Sequence, residues 1–543
     1  MSFFSPRNLF TFREKLSETN VSNFIVLTLL ILAASAIRLY ALQNTNILNP
    51  DGPLYIHQAK AISAGEWKIA VCTLPFLSNT SFFISLFHCL LQDWLLAARS
   101  VSLFFGTLAV IPLYGLFRQF FSKEDSVAAI AILIFLPTWV YNSVDGVRDP
   151  VCWCFSLYGL YWLARGVREQ RRLLLSLACI AFLMAAWARI EAVWYIAAYC
   201  IFLPLLIKQC RRITSLLWFS LPILLIGAIL LIMNFLMEGP SLLAMCRLDD
   251  LYQRVTMGIP QYSNLRNSIS VATQQEMEPL LQTFLPEARN LVWLIGLGTL
   301  ANRLCEALTY PFTLITLLGI KPFSHRNQDQ NLAVYFMLMA AGALIMLYYS
   351  ILQTWIMEYR YMMLAILPGL LCFCSGVSAL TDIFKRHIGL PRLGILTLFV
   401  ILLILITLPR LIKARGESEM AFQEIGLFLA AHHPPVNEVR VSTSTGTVRL
   451  VNFYANLDRP GLHSPEQPEH IYTSLTGTTL VELIKNLQEK EIDYLLWEEK
   501  NAPSSWAAIL SDGVNEGKLQ DLGHWHNHQT GRMILYQIKS EYK

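Results

Sequence analysis

Apolar runs of roughly 17 to 25 residues recur along most of this chain, and a run of that length is what an α-helix needs to cross the hydrocarbon core of a bilayer. The runs predict about eleven membrane-spanning helices, near residues 23–42, 95–117, 126–144, 150–165, 172–188, 190–207, 213–236, 298–319, 331–350, 361–381 and 393–411. The eighth is irregular. Its stretch LVWLIGLGTLANRLCEALTYPFTLITLLGI exceeds one straight span and contains Arg303 and Glu306, so an interfacial helix leading into the membrane is expected there. Past residue 411 the period changes: ESEMAFQEIGLFLAAHH, GTVRLVNFYANL and TTLVELIKNLQEKE read as amphipathic helices, and EVRVSTS, IDYLLWEEK and RMILYQIK as strands. Residues 412–543 are therefore expected to form a small soluble α/β domain.

Composition agrees with the pattern. Of 543 residues, 55% are hydrophobic and 15% charged, with a mean hydropathy of +0.45, whereas soluble chains carry about a quarter charged residues. The net charge of +4 is small for this length and argues against a nucleic-acid partner. Eleven cysteines lie scattered, most in apolar runs and none beyond Cys374, which is packing usage rather than a disulfide framework or zinc site. The basic start MSFFSPRNLFTFREKL precedes an apolar run without a small-residue cleavage site, and reads as an uncleaved first helix.

Lys and Arg are roughly four times denser in the loops that share a side with the amino terminus than in the opposite loops. The amino terminus is thus expected to be cytoplasmic, and the first loop (43–94), the loop at 237–297 and the carboxyl-terminal domain extracytoplasmic. This orientation puts four polar clusters on the outer face: Asp51 to Lys60, SVDGVRDP with Asp145, Arg148 and Asp149, ARIE with Arg189 and Glu191, and MEYRY with Glu358, Arg360 and Tyr361. Any one of them fits an interfacial anchor. Four together, with acids and arginines at the bilayer boundary, point to function, because charge at that depth is costly unless paired or facing water.

These clusters carry a resemblance. DGPLYIHQAKAISAGEW, with Asp51 at its head, is similar to the first extracytoplasmic loop of bacterial relatives of the dolichyl-phosphate-mannose protein mannosyltransferases and of the aminoarabinose transferases, membrane enzymes of the GT-C fold. LLAARSVSLFFGTLAVIPLYGLFRQFF resembles the second helix of that superfamily, and DGVRDP, AAWARIEAVW and YRYMMLAILP its later polar turns. Asp51 stands next to Gly52 where relatives commonly carry two adjacent acids, and VCTLPFLSNTSFF replaces their Lys-Pro-Pro stretch. The departures bear on which sugar is moved.

The resemblance implies an inverting glycosyltransferase that moves a sugar from a polyprenyl-phosphate donor to a glycan, lipid or protein acceptor at the outer face, most simply of a bacterial inner membrane. Asp51 is the expected base, with Asp149 the second catalytic candidate, because a carboxylate near a low-dielectric boundary has its proton affinity raised toward useful values. The leaving lipid phosphate calls for arginine forks. Arg148, Arg189 and Arg360 are the candidates, and Tyr55, His57, Lys60, Glu191 and Tyr361 complete the expected substrate contacts. Asp149 and Glu191 either orient the arginines or, with Asp51 and His57, hold a divalent cation. No metal ligand set is assigned.

Pro53 opens a helix whose apolar residues are expected to lie in lipid and hold Asp51 above a membrane-borne substrate. The loop at 237–297 is long enough for a lid or acceptor platform. In GHWHNHQTG, His524, His526 and His528 recur at period two, a weak zinc pattern. The alternatives to a transferase are a secondary transporter or flippase of lipid-linked glycans, for which internal repeats and midplane charges are missing, and an O-antigen polymerase or ligase-like enzyme.

Overall fold

A computed structural model of the chain describes residues 6–74, 76–207, 209–236, 252–253, 256–275, 278–326, 330–416, 419–433, 438–443, 448–457, 459, 477 and 479–539. Its first part runs through α1 (Pro6–Gln43), α2 (Gly52–Ser63), α3 (Trp67–Thr73), α4 (Asn79–Leu91), α5 (Trp94–Leu108), α6 (Val110–Phe120), α7 (Lys123–Leu133) and α8 (Pro137–Asn142). It continues through α9 (Asp149–Glu169), α10 (Arg172–Ala188), α11 (Val193–Leu206), α12 (Arg212–Leu236), α13 (Gly258–Gln275), α14 (Pro279–Leu308), α15 (Tyr310–Arg326), α16 (Gln330–Thr354), α17 (Met363–Ile388) and α18 (Arg392–Ile412). The remainder alternates α19 (Met420–His432), β1 (Val441–Ser442), α20 (Val448–Asn456), α21 (Leu480–Glu489), β2 (Tyr494–Glu498), α22 (Trp506–Asn515), β3 (Leu519–Asn527) and β4 (Gly531–Ile538).

Seven helical segments among the described residues are long and apolar enough to cross a membrane, and three shorter apolar helices accompany them. The protein is thus a polytopic α-helical membrane protein, although the predicted count of eleven spans is not reached on this measure. Local chemistry explains the differences. Pro137 divides the run at 126–144 into α7 and α8, since proline suits the first turn of a helix and disfavours helical backbone in the residue before it. The run predicted at 298–319 is broken at Thr309, whose φ of 65° ends α14, and Pro311 sits in the first turn of α15. Within the interval read as a loop, α13 and the first half of α14 are helical, while residues 237–251 lie outside the described residues.

The chain divides into two compact units. The first comprises Met1–Ala41, Ser102–Val144 and Arg148–Ile412. Here α15 and α17 meet backbone to backbone at Gly319 and Gly376: a Cβ on Gly319 would collide with the Cys372 carbonyl, and one on Gly376 with the Ile315 carbonyl. Small residues at such crossings are how helices approach closely in lipid, where apolar burial alone gives little driving force. Gly376→Leu is expected to lower stability by about 1–3 kcal/mol or more by overpacking. Gly369→Leu, on the same helix with nothing within 4 Å of its Cβ position, should leave the melting temperature in detergent nearly unchanged. Elsewhere in this unit Arg392 ties α18 to α7 and α17, reaching both carboxylate oxygens of Asp125 at 2.8 Å and Asp382 at 2.6 Å, with Ser378 donating to Asp125 at 3.1 Å.

The second unit comprises Leu42–Val101, Asp145–Val147 and Lys413–Lys543. Its four-stranded sheet has the order β1-β2-β4-β3, with β1 parallel to β2 and the other pairs antiparallel. Leu483, Leu487, Leu495, Trp506, Leu510 and Ile534 form the core beneath it. The strand expected at EVRVSTS shortens to Val441–Ser442, and α22 and β3 were not foreseen as elements.

In the same unit α2 packs on α3 and α4, burying Leu54, Tyr55, Ile56, Ala59 and Ala61. Gln58 staples this bundle: its amide donates to the carbonyls of Ala70 at 2.8 Å and Phe76 at 2.7 Å and accepts from the Ser78 amide at 2.9 Å. The expectation that the apolar face of α2 lies in lipid is therefore corrected, because protein covers it. Gly146, at φ 68°, makes the turn in which any Cβ would strike Leu48.

Candidate functional site

In the first unit, three chain reversals each set polar residues at the mouth of a helix. Asp149 opens α9 with Pro150 behind it and Arg148 in front. Arg189, in extended conformation after α10, leads into a 3-10 turn at Ile190–Ala192. Glu358 precedes a second such turn at Tyr359–Met362, which carries Arg360 and Tyr361 into α17. The turns meet at one carboxylate.

Asp149, whose side chain is 1% exposed, takes a short hydrogen bond from Arg189 Nη1 and has Arg360 Nη1 at 3.5 Å. Arg360 also grips Glu358, through Nε at 2.6 Å and Nη2 at 3.0 Å, and Arg189 Nε stands 3.7 Å from Glu191. The Arg189 guanidinium lies over the Tyr361 ring at 4.2 Å from the centroid. Burial works against the Arg189 cation, but Asp149 and Glu191 more than offset it and hold the guanidinium above its ordinary range. It stays charged at any physiological pH.

These residues border a cavity of about 620 Å³. Its polar side presents Arg148, Arg189, Arg360, Tyr361 and Glu191, and its remainder is largely apolar, with Trp153, Ile345, Leu347, Leu364 and Leu367. Asp149 and Glu358 do not line it. Asp149 is buried behind the arginines and Glu358 lies exposed outside the cavity, so the charged residues lining it are three arginines and one glutamate. Such a surface suits a ligand with an anionic head and a hydrocarbon body.

In the second unit, Asp51 follows a tight turn in which its amide donates to Asn49 Oδ1 at 3.0 Å. Although it stands at the cap position of α2, its side chain makes no capping bond; instead Arg449 Nη1 lies 3.5 Å from Asp51 Oδ1. Lys60 donates to the Leu457 carbonyl at 2.9 Å. His57 is half-buried, and Tyr55 lies inside the α2 packing at 5% exposure. Arg415 holds both oxygens of Asp145, at 2.9 and 3.4 Å.

Of the ten residues singled out from sequence, the structure gathers Arg148, Arg189, Glu191, Arg360 and Tyr361 around one cavity with Asp149 behind them. Asp51, Tyr55, His57 and Lys60 belong to the other unit. Arg449 and Arg415 were not foreseen; both sit in what reads as a detached tail, and only long-range packing relates them to Asp51 and Asp145. Among the described residues no three His, Cys, Asp or Glu side chains are placed to hold a metal ion. Asp149 and Glu191 face Arg189 instead. His524 pairs with Asp521 at 3.1 Å on β3.

A family model described as dolichyl-phosphate-mannose-protein mannosyltransferase matches residues 79–237. None of the curated proteins matches the chain. Among solved structures, the Archaeoglobus fulgidus oligosaccharyltransferase in complex with Zn and sulfate aligns with a TM-score of 0.58 at 11% identity, over 94% of this chain and 72% of that one. The same organism's oligosaccharyltransferase AglB, in complex with an inhibitory peptide and a dolichol-phosphate, aligns at 0.56 and 12%, over 96% and 75%. ArnT from Cupriavidus metallidurans, bound to undecaprenyl phosphate, aligns at 0.53 and 11%, over 95% and 98%. The resemblance seen in the polar turns is thereby borne out at the level of fold: the chain is a polytopic membrane protein with a fold similar to that of GT-C membrane glycosyltransferases.

Proposed function

We propose that this protein is a membrane glycosyltransferase that takes a sugar from a polyprenyl-phosphate donor and passes it to a glycan, lipid or protein acceptor on the extracytoplasmic face of a bacterial inner membrane. The observation that carries the reading is the first unit's cavity, apolar along most of its wall and faced by Arg148, Arg189 and Arg360 at one side. The isoprenoid fits the apolar wall and the phosphate the guanidinium forks. Two similar structures were solved with dolichol-phosphate and undecaprenyl phosphate, which supports this class of ligand. On this reading residues 1–411 carry the transfer, residues 412–543 stand outside the membrane, and the amino terminus faces the cytoplasm.

In the reaction the acceptor attacks the anomeric carbon, the bond from that carbon to the phosphate oxygen breaks, and the phosphate leaves with its electron pair. Asp51 takes the acceptor's proton. Arg189 and Arg360, fixed by Asp149 and Glu358, meet the charge that develops on the leaving phosphate, where preorganised donors act most strongly.

The test is binding of polyprenyl phosphate to the purified protein in nanodiscs. Arg360→Gln is expected to weaken binding by about tenfold or more, the loss of one charge-assisted contact. Unchanged binding in Arg360→Gln and Arg148→Gln alike would remove the phosphate from this cavity.

A further inference from the structure

We propose that Arg449 is a positioning residue for Asp51: from the carboxyl-terminal part of the chain it orients the carboxylate that acts on the acceptor. The inference rests on the base role proposed for Asp51. Its own support is the way α20 is fixed to the acid loop. Tyr454 accepts the Leu48 amide at 3.2 Å and Lys60 reaches the Leu457 carbonyl at 2.9 Å, and at the start of the same helix Arg449 Nη1 stands 3.5 Å from Asp51 Oδ1.

On its other side α20 is fastened to the strand segment. Asn452 bonds the Val441 amide and carbonyl at 2.9 and 3.0 Å, and Asn456 bonds those of Val439, both at 2.8 Å. Both asparagines are buried. The start of α20, and with it Arg449, is therefore held by the fold rather than by chance rotamers. The groove beside the pair, lined by Leu54, His57, Lys60, Glu438, Arg440 and Arg449, encloses only about 30 Å³.

Charged groups near the pair include His57 and Lys60 on α2 and Glu438 and Arg440 before β1, which line the groove that Arg449 borders, and Arg99 on α5, which bears on Tyr454 and Asp145. Asp145 adds a further charge, since its carbonyl accepts the Asn49 amide at 3.3 Å. Lys60 donates to a carbonyl, Arg440 pairs with Glu491 and Asp145 with Arg415. Arg449 is in ion-pair contact with Asp51. A cation at this distance favours the ionised carboxylate, the form a base must have before it can accept a proton. Loss of the cation therefore moves the acidic limb of the pH–rate profile toward higher pH.

The experiment measures sugar transfer against pH with the purified full-length protein, comparing wild type, Arg449→Gln, Arg449→Lys, Tyr454→Phe and Asp51→Asn. Expected is an upward shift of the acidic limb by about one pH unit in Arg449→Gln, the lower end for an opposite charge at this range, with activity recovered on the alkaline plateau. Arg449→Lys should stay near wild type. Tyr454→Phe loosens the same helix without changing charge and should leave the limb in place. Raising the salt concentration should move the wild-type limb toward that of Arg449→Gln, because a pair one third exposed is screened; this arm holds even if the variant fails to fold. A lowered plateau with an unmoved limb, an equal shift in Tyr454→Phe, or a salt-independent wild-type limb would overturn the proposal. Full activity in Asp51→Asn would instead overturn the base role itself.

Discussion

Asp149→Ala is expected to destabilise the protein by about 3–5 kcal/mol, the cost of removing one partner from a buried ion pair. Asp149 is 1% exposed, and the side chains of Arg189 and Arg360, which it serves together, are each 7% exposed. Neither guanidinium can escape by losing its proton. The carboxylates around Arg189 hold it charged, and when Asp149 is gone Glu191, at 3.7 Å, is the acid left beside it. Asp149→Asn keeps the shape and one acceptor oxygen and should cost clearly less. Thermal unfolding of the purified variants in detergent ranks them. An alanine variant as stable as wild type would show that Asp149 is not what holds the two arginines.

The ranking also separates two duties that look alike in sequence. Asp51 and Asp149 are both acids at the head of a helix, each with a proline close behind: Pro53 two residues after Asp51, Pro150 directly after Asp149. By sequence both are catalytic candidates. The structure surrounds Asp149 with two arginines and closes it off from the cavity, whereas the Asp51 side chain is one third exposed with Arg449 beside it. A buried carboxylate in contact with two arginines serves to aim the guanidinium groups. Burial, which one sequence cannot display, makes the distinction.

Asp51→Asn is accordingly the substitution expected to act on chemistry with little effect on stability. Removing a general base lowers transfer by about 10²–10⁴-fold, while polyprenyl-phosphate binding should persist, since the phosphate contacts proposed are Arg148, Arg189 and Arg360. Loss of binding and transfer together would instead mark Asp51 as part of the donor site.

Much of the helical framework was legible. The run expected at 172–188 coincides with α10, and those at 23–42, 331–350 and 393–411 fall within observed helices, because long apolar stretches leave few alternatives. Breaks inside apolar stretches were harder to read. Thr309 at φ 65° carries no local signal, since a β-branched residue rarely takes that conformation and only tertiary packing holds it there. Polar elements were harder still: β3 carries Gln520, Asp521, His524 and His526 and reads as an exposed turn until β4 pairs with it.

The candidate site was legible in composition rather than in partnership. Short polar turns at the bilayer boundary stand out because charge is costly there, and this exposed Arg148, Arg189, Glu191 and Arg360. Which acid serves which arginine depends on contacts spanning up to several hundred residues, as Asp51 with Arg449 and Asp145 with Arg415 show.

The most direct measurement is sugar transfer by the purified protein in lipid, from a panel of radiolabelled polyprenyl-phosphate sugars, with membrane extract as acceptor source and with Asp51→Asn beside the wild type. The account predicts turnover of at least one donor by the wild type and its loss by orders of magnitude in the variant. No turnover with any donor, from protein that binds polyprenyl phosphate normally, would contradict it.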